Sequence, residues 1–316
     1  RIPNLETRAS ADESYRLVDP GEVDQLRRQH HPTITVDGDA ITDIRGDRDD
    51  PFSKGYVCPK GVALGELHAD PDRLTRPLRK VGDGWEEMDW EAALDLAAEK
   101  VQAAQRDHGQ DSVAIYLGNP NVHNLGALMF GPEVLRTVRT KNRYSATSAD
   151  QLPHMLIAHW MFGHQLLMPV PDIDRTDFLL ILGANPAASN GSIMTAPAMG
   201  TRLKAIRARG GRVVLVDPRR TETARLVDEH HFIKPGTDAL LLASLLAVVF
   251  EEGLGSPGRL AAHTDGLDAV RAGVAAFPPE RTAAATGLPA ETVRALAREI
   301  AGAETACVYG RMGASV

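Results

Sequence analysis

Between residues 33 and 88 apolar and polar positions alternate in short bursts; beyond residue 89 they regroup into helical spacings and solid apolar runs. Residues 33–44 hold two alternating runs around Asp37-Gly38, a pair suited to the positive φ angles of a tight hairpin turn. A second hairpin is predicted over residues 78–88, turning at Gly82-Asp83-Gly84. Asp89 stands where a helix needs a cap. Trp90, Ala93, Leu94, Ala97 and Val101 then recur at helical spacing, and Gly109 ends the pattern.

From there strands and helices take turns. The pattern predicts a strand at 112–117 and helices over 125–138 and 151–162. Residues 178–182 (FLLIL) are a continuous apolar run, as in a strand buried on both faces, and residues 212–216 (RVVLV) read as a second buried strand. A helix over 196–209 lies between them and closes on Gly210-Gly211, which makes a parallel βαβ unit. A short strand at 231–233, a helix over 238–251, a helix over 290–301 and a strand at 306–309 complete the reading. The fold class expected is α/β, with parallel-sheet βαβ lobes and a small β-rich N-terminal region. Three segments follow: an irregular stretch at 1–31, a small β-rich domain at 32–88, and an α/β region at 89–316. Softer breaks fall near Ser256-Pro257 and Pro278-Pro279.

Composition narrows the classes. Hydrophobic residues make up 43% of the 316 and charged residues 24%, the balance of an ordinary globular protein. A net charge of −7 does not attract a nucleic-acid backbone, so no nucleic-acid partner is expected. The most apolar stretch, residues 239–250, is far shorter than the roughly 20 residues of a membrane-spanning helix, and no span is expected. Two cysteines, Cys58 and Cys307, make no disulfide framework. Residues 1–28 are charged, without the apolar run of a signal peptide, and the chain opens on Arg1 rather than Met. The expected location is cytoplasmic.

Ligands of open parallel sheets sit beyond the carboxyl ends of the strands. Three predicted strand ends carry unusual loops: Gly183-Ala-Asn-Pro186 and the small residues after it, Asp217-Pro-Arg-Arg-Thr221, and Lys234-Pro-Gly-Thr-Asp238. Small residues at Gly183 let a ligand approach the backbone, and Asn185 can bond a base or a ribose. Asp217 can accept ribose hydroxyls or a guanine amide and amine, and Arg219 can neutralise a phosphate. Gly236 permits a tight turn and leaves Asp238 to take a donor. Taken singly, each loop is equally a plain turn former. All three together point to a nucleotide.

Two further stretches carry candidate chemistry. Gly55-Tyr-Val-Cys-Pro-Lys-Gly61 places a cysteine before Pro-Lys-Gly, as in cluster motifs ending in Cys-Pro, although one thiolate cannot hold a cluster. Residues 142–151 are rich in hydroxyls that can equally cap the helix that follows. In that helix His154 and His159 lie five apart, off the spacing at which two residues share a metal, and they are read as ordinary helix residues. The pairs His30-His31 and His230-His231 are assigned no chemistry.

In order and spacing, the run from Gly46 through Asp-Pro-Phe-Ser-Lys-Gly-Tyr-Val-Cys-Pro-Lys to Gly61, then Gly183-Ala-Asn-Pro186, Asp217-Pro-Arg219, Glu222-Thr-Ala224 and Lys234-Pro-Gly-Thr-Asp238, closely resembles the dimethyl-sulfoxide-reductase superfamily of molybdopterin oxidoreductases. Formate dehydrogenases and nitrate reductases belong to it. The resemblance implies that Gly183, Asn185, Pro186, Asp217, Arg219, Gly236, Thr237 and Asp238 bind one guanine dinucleotide arm. The cofactor implied is a bis-molybdopterin guanine dinucleotide carrying molybdenum or tungsten. It makes Cys58 a ligand of a [4Fe–4S] cluster, Lys60 a residue on the electron path, and Ser145 the candidate protein ligand of the metal. Gly310-Arg-Met-Gly313 resembles a family loop near the cofactor. The partners implied are a small-molecule substrate and an electron-transfer subunit.

Two departures qualify the likeness. Where the family has three cysteines before the first hairpin, residues 24–31 have none, so the cluster is expected to be absent or incomplete. Family catalytic subunits also run much longer, so a fragment or a truncated relative is expected. The functional expectation is part of a molybdopterin-dependent oxidoreductase catalytic subunit; the alternative is a truncated, non-catalytic scaffold or electron-transfer-complex subunit of the same fold. A nicotinamide-binding Rossmann enzyme is disfavoured, because neither buried strand is followed by Gly-x-Gly-x-x-Gly.

Overall fold

A computed structural model describes residues 32–38, 40–50, 53–118, 121, 124–189, 191 and 196–315. The segment expected to be irregular at 1–31, with its His30-His31 pair, lies outside the described residues. The chain divides into two compact units, Arg1–Ala146 and Thr147–Val316. The boundary expected at residue 88 falls within the first of them.

In the first unit, β1 (Pro32–Asp37) and β2 (Ala40–Gly46) form an antiparallel hairpin with a bulge between Thr35 and Val36. Gly38 takes the positive φ the turn demands, at +57°. Two short helices, α1 (Pro59–Val62) and α2 (Leu64–Ala69), precede the second hairpin, β3 (Leu78–Val81) and β4 (Gly84–Glu87). Asp89 caps α3 (Trp90–His108), its Oδ1 accepting from the Ala92 N–H at 2.8 Å. A strand, β5 (Ile115–Leu117), leads into α4 (Leu125–Val138), capped by Asn124 through the Ala127 N–H at 2.9 Å. The chain returns as β6 (Arg143–Ser145), parallel to β5 and in register with it from Ile115↔Arg143 to Leu117↔Ser145.

The second unit is built on one parallel sheet. Helices α5 (Thr147–Asp150) and α6 (Leu152–Phe162) precede β7 (Phe178–Leu182). Then come α7 (Pro186–Ser189), α8 (Met199–Ala208), β8 (Arg212–Val216), β9 (Glu229–His231) and α9 (Asp238–Glu251). The unit ends with α10 (Leu267–Val274), α11 (Pro279–Thr286), α12 (Ala290–Gly302), β10 (Ala306–Gly310) and α13 (Met312–Ser315). The sheet runs β10-β7-β8-β9, every pair parallel.

Alternation along the strands divides the core into two layers. Leu179, Ile181, Val213 and Leu215 face Met199, Leu203 and Ile206 of α8. Phe178, Leu180, Leu182, Val214 and Val216 face Leu241, Leu245 and Val248 of α9 with Val293, Leu296 and Ala297 of α12. Covered on both faces, β7 and β8 need apolar residues at every covered position. FLLIL supplies them throughout β7, and β8 supplies them from Val213 to Val216 after a half-buried Arg212 that pairs with Glu229 and Glu299. His154 of α6 reaches the outer edge of the sheet, donating from Nε2 to the Gly310 carbonyl at 3.1 Å.

The strand expected at 231–233 forms two residues earlier. Two side chains mark its start: Asp228, just before the strand, accepts from the Val213 N–H at 2.8 Å, and Glu229, its first residue, pairs with Arg212. The helix expected from residue 196 starts at Met199, because Ala198 adopts a left-handed φ of +56°.

Candidate nucleotide-binding site

Because β7, β8 and β9 are successive parallel neighbours, the loops at their carboxyl ends emerge side by side. The structure therefore brings Gly183, Asn185, Pro186, Asp217, Arg219, Gly236, Thr237 and Asp238 to one edge of one sheet. Cys58, Lys60 and Ser145 belong to the first unit.

The β7 loop opens at Gly183, whose φ of +54° suits glycine. Its N–H donates to the Val216 carbonyl at 3.0 Å, and its carbonyl accepts from the Gly313 N–H at 3.1 Å. The stretch from Gly310 to Gly313, singled out in the sequence, thus abuts this loop. Asn185 is half-buried, and both ends of its amide are engaged. Oδ1 accepts from the Thr223 N–H at 3.2 Å and hydroxyl at 2.8 Å, while Nδ2 donates to Glu222 Oε2 at 2.6 Å. Pro186 is buried and opens α7.

The β8 loop turns on Asp217, which is only 8% exposed. Its Oδ1 accepts from the Arg219 N–H at 2.8 Å, an Asx turn that fixes the residues after it. Its backbone is held twice: the N–H donates to the His231 carbonyl at 3.1 Å, and the carbonyl accepts from His230 Nε2 at 3.0 Å. The Arg219 side chain extends outward, with Nη2 3.9 Å from Glu222 Oε2. Thr221, 4% exposed, has a hydroxyl with no hydrogen-bond partner among the described residues.

The β9 loop is braced by Lys234, whose N–H donates to Thr286 and whose Nζ donates to Ala284, each at 2.9 Å. Gly236 takes a φ of +76°, and the Thr237 hydroxyl donates to the Lys234 carbonyl at 2.6 Å. Asp238 opens α9 and is 5% exposed; its Oδ1 has no hydrogen-bond partner among the described residues. Burial holds its carboxyl above the usual carboxylate range, and the negative charge of Asp217 adds to the rise. A backbone hydrogen bond to the carboxyl opposes the rise, but the buried Oδ1 still lacks a donor, which is costly and calls for a partner.

Two acids and one free hydroxyl thus stand at adjacent strand tips, with an arginine outside them. The set suits a ligand that presents N–H donors inward and negative charge outward. Sequence reading assigned no role to Thr221, Glu222, Thr223 or His230. Their parts depend on contacts across the loops; the Asp217–Thr221 loop and the Glu222-Thr-Ala224 match pointed at the segment without giving these residues a role.

In the first unit Cys58 is buried and caps α1, its Sγ accepting from the Gly61 N–H at 3.4 Å. Lys60 is exposed, and Ser145 is the last residue of β6. A [4Fe–4S] cluster asks for four thiolates. The 316 residues contain two cysteines, and Cys307 sits on β10 of the other unit. Among the described residues no group of three or more His, Cys, Asp or Glu could hold a metal ion. The donor set present does not fit that cluster. No helix of the described residues is long and apolar enough to cross a membrane.

Comparison with known proteins gives a consistent result. A family model described as "Molybdopterin oxidoreductase" matches residues 73–279, more than half of the chain. A nitrate reductase of Symbiobacterium thermophilum is 30% identical over 285 residues, covering 84% of this chain and 36% of the relative. The F420-dependent formate dehydrogenase 2 subunit alpha of Methanococcus maripaludis is 27% identical, covering 89% of this chain and 40% of the relative. The solved acetylene hydratase from Pelobacter acetylenicus superposes with a TM-score of 0.72 at 23% identity, over 89% of this chain and 38% of that one. The last likeness is one of fold. The chain spans between a third and about two fifths of the length of these proteins.

Proposed function

The chain belongs to the molybdopterin oxidoreductase family, and from that membership we propose that its second unit holds the guanine end of a bis-molybdopterin guanine dinucleotide cofactor. The observation that carries the reading is the buried, donor-less Oδ1 of Asp238 beside Asp217 at neighbouring strand tips. Guanine offers N1–H and an exocyclic amine on one edge, two donors for two carboxylates. Adenine presents an acceptor at N1 and would leave a buried acid unmatched, which costs roughly 1–3 kcal/mol or more.

In this account Asp217 and Asp238 take the base, Arg219 neutralises a phosphate, and Gly183, Pro186, Gly236 and Thr237 shape the backbone around it. Asn185 joins the first loop to the second. The molybdenum or tungsten of such a cofactor supplies two-electron chemistry on a small-molecule substrate, while the protein supplies position and electrostatics. Electrons would pass to or from a partner subunit. Ser145 and Lys60 keep the metal-ligand and electron-path roles that the resemblance implies; the nucleotide cradle needs neither.

The shortage of cysteines favours a second reading, a non-catalytic scaffold that kept the α/β unit. Expression in a molybdenum-competent host separates the two. The catalytic reading expects molybdenum or tungsten in the purified protein, and a guanine nucleotide released on denaturation. Protein that carries neither would overturn it in favour of the scaffold.

A further inference from the structure

The amide of Asn185 is spent on the protein. Its Oδ1 has two lone pairs, and both are filled by Thr223, one from the N–H and one from the hydroxyl. That hydroxyl in turn accepts from the Ala187 N–H at 3.1 Å, and Thr223 is fully buried. Nδ2 donates to Glu222 Oε2 at 2.6 Å, the short separation of a bond to an ionised acceptor. The Asn185 amide also holds the Glu222 carboxyl below the usual carboxylate range, with the charges of Arg219 and Arg225 helping.

These bonds run between residues 37 or 38 apart in the chain, from the tip of β7 to the far end of the β8 loop. The near end of that loop is fixed by the Asx turn at Asp217. Asp217, Arg219 and Thr221 therefore hang between two anchors, of which Asn185 is one.

We propose that Asn185 is a positioning residue: its amide clasps Glu222 and Thr223, and so sets where Asp217, Arg219 and Thr221 stand against the nucleotide. This rests on the guanine-cradle reading. Asn185 acts through the loop, by fixing the spacing of the first two strand-tip loops.

An exchange of groups across the clasp tests it, with guanosine diphosphate as the titrant. Asn185→Asp keeps the acceptor for Thr223 and sets a carboxylate against Glu222; affinity should fall about tenfold or more, the effect of losing a charged hydrogen bond. Glu222→Gln alone preserves an amide–carbonyl bond and should stay within about threefold of wild type, the span of an ordinary neutral bond. In the double variant the new amide at 222 can donate to the new carboxylate at 185, and affinity should return to within about threefold of wild type. A double variant as weak as Asn185→Asp overturns the clasp, as does an Asn185→Asp variant that binds normally. Should Asn185→Asp fail to fold, Glu222→Ala removes the same anchor without repulsion, and an unchanged affinity there overturns the proposal. Wild-type protein that does not bind guanosine diphosphate overturns the reading beneath it instead.

Discussion

Gly183 and Gly313 cross with their backbones in contact. The Gly313 N–H donates to the Gly183 carbonyl at 3.1 Å, and a Cβ built on Gly183 would lie 2.6 Å from the Ala314 nitrogen. A Cβ on Gly313 would lie 2.8 Å from the Gly183 oxygen. The glycine at the tip of β7 thus has a packing reason of its own, independent of any ligand.

Gly183→Ala should therefore destabilise the second unit by about 2–4 kcal/mol, combining a left-handed φ with a backbone clash. Urea unfolding monitored by circular dichroism measures it. A loss below about 0.5 kcal/mol would contradict the crossing.

Leu203 of α8 is fully buried against β7 and β8, so Leu203→Ala should cost about 2–5 kcal/mol, with the spread set by how far the site collapses. The same unfolding measurement reads it, and a change within about 0.5 kcal/mol contradicts the two-layer core.

Asp238→Asn separates binding from stability. The folded chain holds this carboxyl above its usual range, so its contribution to stability is present at low pH and lost as pH rises through the raised value. Removing the charge should leave the thermal midpoint at neutral pH equal or higher, while affinity for guanosine diphosphate drops about tenfold or more. A variant that binds as wild type does removes Asp238 from the site.

The same shift sets a pH dependence. Only the ionised Asp238 accepts a guanine donor well, so guanosine diphosphate affinity should decline as pH falls from neutral toward the ordinary Asp value near 3.9, with the loss beginning above that value. Titrations across that range check it. A flat profile would remove the buried acid from the account.

Much of the second unit was legible because burial on both faces leaves little choice of residue: β7 matches its apolar run end for end, and β8 adds only Arg212 to its own. Helix α9 was equally plain. The three loops read as a group because acids and glycines stood at successive strand ends. Strand β6 was not legible. Arg143, Tyr144 and Ser145 have no strand pattern of their own, and their pairing depends on β5, 28 residues earlier at Ile115↔Arg143. Helices α10 and α11 were not read either. The clasp at Asn185 was hidden for a related reason: an asparagine after a strand reads as a ligand residue, and its commitment to Glu222 and Thr223 exists only across two loops.

Calorimetric titration of the chain with guanosine, inosine and adenosine diphosphates tests the central claim most directly. Inosine keeps the N1–H and lacks the exocyclic amine; adenosine lacks the N1–H. The account predicts tightest binding for guanosine, with a loss of about tenfold for inosine and a larger one for adenosine. Adenosine diphosphate bound as tightly as guanosine diphosphate, or no binding of any of the three, would contradict it.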